Sequence, residues 1–188
     1  MLPGYKYLLT YRFTEIVQDL TVLFCEKFLF GFDYRRTREQ MIQAARSGKQ
    51  NIIEGVGQGE RTSKKGEIKL LGVAAASLEE LIADYEDFLR QRGLAIWPKN
   101  NPRIVDFRQQ IYFFTNQSNL GPQGNLLKNP ALPANPEEAA NLLLTLTHQA
   151  TFLLDKQIEA LEKKFIQEGG FTENLFRQRL DYKNRKVI

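Results

Sequence analysis

Apolar residues recur three and four positions apart along most of the chain. The longest unbroken series is Ile68, Leu71, Ala75, Leu78, Ile82, Tyr85 and Leu89, which predicts a helix over 63–92. At 1.5 Å per residue that helix is about 45 Å long, the scale of a bundle. Leu9, Phe13, Ile16, Leu20 and Leu23, with a second stripe at Val17, Phe24 and Phe28, predict an earlier helix over about 5–29. Thr37-Arg-Glu-Gln40 fits a capping box that opens a second helix, and Gly55, Gly57 and Gly59 are expected to end it near Val56. Asn135-Pro-Glu-Glu138 combines a cap, a proline at the first helical position and acids in the first turn. It starts the last long helix, with Leu143, Leu146, Ala150, Leu154, Ile158, Leu161 and Phe165 inward and Gly169-Gly170 as its stop.

Two segments depart from this regularity. Residues 100–135 contain a short helix led by Pro102 and Arg103 and then a loop rich in Gly, Pro and Asn, an insertion between bundle helices. Phe171 to the C-terminus reads as a basic, partly helical suffix. The expected architecture is all-α: an up-down-up-down antiparallel four-helix bundle over 1–168, with an inserted short helix, and a suffix over 169–188. No strand pattern and no internal repeat interrupts it.

Composition fits one domain with its own core: 188 residues, 43% hydrophobic and 11% aromatic. The single cysteine, Cys25, excludes an internal disulfide, and the opening Met-Leu-Pro-Gly-Tyr-Lys-Tyr has no signal-peptide core, so a cytoplasmic setting is expected. The densest apolar run, Phe28-Leu-Phe-Gly-Phe32, is too short to cross a bilayer, and no membrane partner is expected. The net charge is +4, of which the stretch from Phe171 onward carries +3, so basic surface on the body must come from segregation of charge rather than excess.

Enzymatic constellations are weak. The sole histidine, His148, has no partner histidines or cysteines for a zinc site or triad and reads as structural or surface. Gly55, Gly57 and Gly59 follow no strand and precede no Gly-Lys-Ser/Thr, which argues against a nucleotide loop. Glu80, Asp84 and Asp87 share one helical face. They read as a solvated or intersubunit acidic face that pairs with Arg46 and Lys49 of a neighbouring helix, with a metal-dependent nuclease as the distant alternative. Cys25 reads as a packed thiol. No catalytic residue, cofactor or resident metal is assigned.

The segment from Met41 to Gly55 holds Ala44, Ala45, Ser47 and Gly48, small enough for two helix backbones to approach closely; Gly48 in a helix interior needs such a reason. Lys64 and Lys65 stand in the first turn of the next helix, where the macrodipole favours acids, so an anion is expected there. The cationic set comprises Arg35, Arg36 and Arg38 before the second helix, Arg46 and Lys49 on it, and Arg61, Lys64, Lys65 and Lys69 around the next turn. Arg177 and Arg179 belong to the suffix. Phosphates of RNA or DNA are the natural ligand for such a set, contacted without base reading. The alternative is a structural or protein-binding oligomer whose cations pair across subunits.

The segments Gln40 to Gly55, Thr62 to Leu70 and Ala76 to Arg90 resemble the bacterial four-helix-bundle proteins encoded in ribosomal RNA intervening sequences. Ala140-Asn-Leu, His148-Gln and Glu168-Gly-Gly-Phe171 are similar to that family's longer branch, which carries a suffix after the last helix. The resemblance implies a bundle that assembles as a homo-oligomer. By likeness to the accessory variability determinant of diversity-generating retroelements, it implies a pentamer that binds nucleic acid and a reverse transcriptase through basic surface. Arg46, Lys49, Lys64 and Lys65 lie inside the matching motifs and Arg61 directly before the second of them, and these five are the binders it implies. The insertion and the basic suffix depart from the short retroelement accessories, which weighs against a reverse-transcriptase partner.

Overall fold

The computed structural model describes residues 2–61 and 63–185, with the side chains of residues 60 and 61 outside the description. It is all-helical. A 3-10 turn, Gly4–Tyr7, leads into α1 (Leu9–Phe28), followed by α2 (Arg35–Arg61), α3 (Lys64–Gln91), α4 (Pro102–Thr115), α5 (Pro136–Glu168) and α6 (Phe171–Arg185). The segment between α4 and α5 contains a second 3-10 turn, Gln117–Asn119, and one isolated antiparallel bridge between Leu120 and Leu126. No helix among the described residues is long and apolar enough to cross a membrane.

Local chemistry accounts for the helix ends. Ser63 caps α3 by accepting the Gly66 N–H, and Asn135 caps α5 by accepting from the N–H groups of Glu137 and Glu138. Gly169 ends α5 at φ +75°, a conformation that costs other residues a steric penalty.

The four long helices close a ring in which α1 packs against α2 and α5, and α3 against α2 and α5; α4 lies outside, on α5. Phe13, Ile16, Val17, Leu20 and Phe24 of α1 meet Leu71, Leu78, Tyr85 and Leu89 of α3 and Leu143, Leu146, Ala150 and Leu154 of α5 in one core. Each such side chain contributes roughly 1.5–3 kcal/mol when buried. At its centre Phe24 meets Tyr85 and Phe88 edge-on, with ring centroids 5.2 and 4.8 Å apart, and the Tyr85 hydroxyl lies 2.8 Å from the Thr21 hydroxyl. Burial therefore places a polar pair in the core with each partner satisfied.

Three expectations need correction. First, α2 starts at Arg35, so Thr37 lies inside the helix and caps nothing, and the helix runs on through Gly55, Gly57 and Gly59 to Arg61. Packing overrides propensity here: a side chain at Gly55 would meet the Glu67 carbonyl oxygen and Leu70 at 3.3 Å, so this glycine admits the start of α3. Second, Leu9 and Leu23 are about half exposed. A stripe spaced four and three apart drifts round a straight helix, and the buried face of α1 centres on Ile16, Val17, Leu20 and Phe24 instead. Third, the opening residues form a 3-10 turn and α1 begins at Leu9. Gly48 meets expectation: a Cβ there would lie 2.8 Å from Leu78 Cδ2, where α2 packs on α3.

Candidate nucleic-acid interface

The cations chosen from the sequence fall into three places. Lys64, Lys65 and Lys69 occupy the first turns of α3. Arg46 and Lys49 lie mid-way along α2, roughly 20 Å of helix rise from its C-terminal end. Arg177 and Arg179 are exposed on α6. The side chain of Arg61 lies outside the described residues.

At the start of α3 the expected anion is present, and it comes from this chain. Lys64 Nζ donates to Glu168 Oε2 at 2.7 Å, joining the first residue of α3 to the last of α5. That hydrogen bond holds the Glu168 carboxyl below the usual glutamate range. Lys64 is therefore already engaged, whereas Lys65 and Lys69 are exposed and in no salt bridge among the described residues.

The same contact brings a pair that the sequence reading missed. Lys163 and Lys164, one turn before Glu168 on α5, are exposed, and Lys164 lies close enough to depress Glu168 further. The signal was available in the adjacent Lys163-Lys164, which repeats the adjacent Lys64-Lys65. Only the fold places the two pairs at one end of the helix ring. Lys65, Lys69, Lys163 and Lys164 form the candidate cluster, with α6 leaving from the same end through Gly169-Gly170.

Helix α6 buries none of its side chains. Phe171, Leu175 and Tyr182 share one side, and Phe176 and Leu180 lie about 140° round, with Arg179 and Lys183 between. The helix thus presents alternating apolar and cationic strips.

Arg38, Arg35 and Arg12 make their contacts within the fold. Arg38 donates to the carbonyls of Leu29 and Gly31 and fastens the α1–α2 turn, while Arg35 pairs with Glu39 at 3.7 Å. Arg12 is buried, and its guanidinium donates to the carbonyls of Leu8, Thr115 and Tyr7, meeting the C-terminal residue of α4.

The acidic face is also rearranged. Glu80 and Asp84 line a shallow groove between α2 and α3 with Arg36, Ala44, Ser47 and Ser77, and no salt bridge joins them to Arg46 or Lys49 among the described residues. Burial, with Asp87 and Glu80 nearby, raises the Asp84 carboxyl above its usual range. Asp87 itself is held by Arg90 at 2.7 Å. No group of three or more His, Cys, Asp or Glu among the described residues could hold a metal ion. Cys25 is fully buried, which pushes its thiol up to about 12.

Comparison of the chain with protein families, with curated proteins and with solved structures returned no match.

Proposed function

We propose that this protein is a non-enzymatic, homo-oligomeric helical bundle of the kind encoded in ribosomal RNA intervening sequences, and that it binds RNA or DNA phosphates through one basic end. The observation that carries the reading is the Lys64–Glu168 contact, which joins the end of α3 that bears the exposed Lys65 and Lys69 to the end of α5 that bears the exposed Lys163 and Lys164. Four exposed cations from two helices, followed by the basic α6, would release counterions on contacting the phosphates of a polyanion. The ring of α1, α2, α3 and α5, with α2 meeting α3 at Gly48–Leu78 and again at Gly55–Leu70, supports an up-down-up-down antiparallel bundle. The setting proposed is cytoplasmic, with a second copy and nucleic acid as partners; a pentamer and a reverse transcriptase belong to the resemblance alone.

The test is binding of the purified chain to labelled RNA and DNA at two salt concentrations, with oligomer mass read on the same sample. Lys65→Glu with Lys69→Glu should weaken binding and reduce its salt dependence while the oligomer survives. Absence of binding at low salt would remove the reading.

A second reading, a structural or protein-binding oligomer, is favoured by the groove between α2 and α3. Ala44, Ser47, Ser77 and Ala83 leave room for another helix there, and Asp84 has a raised carboxyl that a cation from a partner would stabilise. Loss of the oligomer in Ser77→Trp, with nucleic-acid binding absent throughout, would favour it.

A further inference from the structure

Between the segment after α3, the inserted helix α4 and the middle of α5 lies a cavity of about 560 Å³, within the usual range for small-molecule sites. Its apolar lining includes Ile104 and Leu144, both buried, and two aromatic side chains, Trp97 and Phe152. Its ionisable lining is Lys99, Arg108 and His148, with no aspartate or glutamate.

The wall carrying Trp97 is fixed from several directions. Asn141, buried on α5, accepts the Trp97 backbone N–H at 2.8 Å and donates to the Ala95 carbonyl at 2.9 Å, which ties the segment to the helix. The indole N–H donates to Glu137 Oε1 at 2.6 Å, the ring stacks near-parallel on Phe107, and the Arg103 guanidinium lies 5.3 Å from its centroid. Arg103 also pairs with Glu138 at 3.7 Å. Glu137 and Glu138 of α5 are thus engaged by Trp97 and Arg103 and do not line the cavity. By contrast, Arg108 donates one long hydrogen bond, 3.5 Å, to the Lys99 carbonyl, so a guanidinium with five N–H donors keeps most of them in hand. Gln149, also on the lining, has an amide oxygen with no hydrogen-bond partner, which an amide rotation would offer to a ligand N–H or O–H.

We propose that this cavity binds a planar aromatic anion: a ring bearing a phosphate or carboxylate, with the ring against Trp97 and Phe152 and the anionic group on Arg108 and Lys99. Aromatic walls select a flat ring, and a cationic lining without acids selects negative charge. Two sources share this chemistry, a nucleotide and a free aromatic carboxylate. The site is separate from the lysine cluster and does not depend on it.

Trp97 is the single tryptophan of the chain, so its fluorescence reports on the cavity directly. The full chain is titrated with adenosine monophosphate, with 1-naphthoate, with uncharged adenosine and with inorganic phosphate, and calorimetry checks each titration. Saturable binding is expected for at least one of the two ring anions, with adenosine and phosphate each weaker by about tenfold or more. A preference for the nucleotide or for naphthoate assigns the source. Arg108→Ala and, independently, Phe152→Ala should each weaken the preferred ligand about tenfold while helix content is unchanged. The proposal is overturned if neither ring anion binds, if adenosine binds as well as its monophosphate, or if Arg108→Ala in a folded protein leaves affinity untouched. A change of oligomer mass in Phe152→Asp would assign the cavity to a second copy and overturn it equally.

Discussion

Lys64 and Glu168, 2.7 Å apart, each sit at the unfavourable end of their own helix: a cation at the N-terminus of α3 and an anion at the C-terminus of α5. Paired, each lies beside the end of the other helix that suits its charge. The contact joins these two helix ends and leaves Lys65, Lys69, Lys163 and Lys164 to face solvent round it.

Glu168→Gln therefore releases Lys64 for phosphate. The plot of log affinity against log salt for single-stranded RNA should steepen by about 0.7, one added contact, with the denaturation midpoint unchanged. Lys64→Ala should leave the wild-type slope as it is. An unchanged slope in Glu168→Gln would place the bound strand elsewhere on the surface.

Buried neutral groups predict alkaline weakness. Burial pushes the Cys25 thiol from 9.0 up to about 12 and the Tyr85 phenol well above 10.0. Above those ordinary values the unfolded chain loses protons that the folded chain keeps, so folding stability falls as pH rises. The contribution of Cys25 is complete below pH 9 and is lost progressively toward pH 12; that of Tyr85 starts to fall near pH 10. Each group adds a slope of about 1.4 kcal/mol per pH unit. Urea unfolding from pH 8 upward measures this, and Cys25→Ala should remove the earlier limb of the decline.

Gly48 and Gly72 make a controlled pair. A methyl at Gly48 would press on Leu78, which is fully buried, whereas one at Gly72 would meet nothing within 4 Å. Gly72→Ala should stabilise by about 0.5–1 kcal/mol, the helix propensity difference. Gly48→Ala has the same gain available but must displace the core, for a net loss of about 1–2 kcal/mol. Equal effects by chemical denaturation would mean that α2 and α3 do not meet at this glycine.

Much of the helix ring was legible because its signals are local. The stripe from Leu71 to Leu89 and the cap at Asn135 need no tertiary information, and the structure places α3 at 64–91 and α5 at 136–168. What failed depended on partners. Of the glycines read as the end of α2, Gly55 and Gly59 face α3 and their role appears only when that helix lies against them, while a Cβ at Gly57 would meet nothing within 4 Å. The anion expected at Lys64 came from Glu168, 104 residues away in sequence. The candidate site was read only in part for the same reason: single charges are visible along a chain, but whether Lys163 joins Lys65 or faces away is decided by packing.

Asn141 offers a test of the inserted segment. Its side chain accepts from Trp97 and donates to the carbonyls of Ala95 and Glu137, and it is almost wholly buried. Asn141→Ala removes three part-buried hydrogen bonds to the backbone at once and should cost about 1–3 kcal/mol. Because those bonds hold the Trp97 backbone, its emission should also shift toward that of a hydrated indole. A stability loss without that shift would locate the cost in α5 alone.

Removing residues 171–188 deletes α6, none of whose side chains is buried, so the core stays whole and the denaturation midpoint should hold. The deletion removes five cations and two acids. Affinity for RNA should fall, and the salt dependence should become shallower by about 0.7 for each phosphate of a single strand that α6 engages in the full chain. The apolar strips of α6, Phe171 with Leu175 and Phe176 with Leu180, bear on the second reading. If the deletion lowers oligomer mass while salt dependence stays as it was, those strips pack between copies, and the cations of α6 are the solvated flanks of an interface.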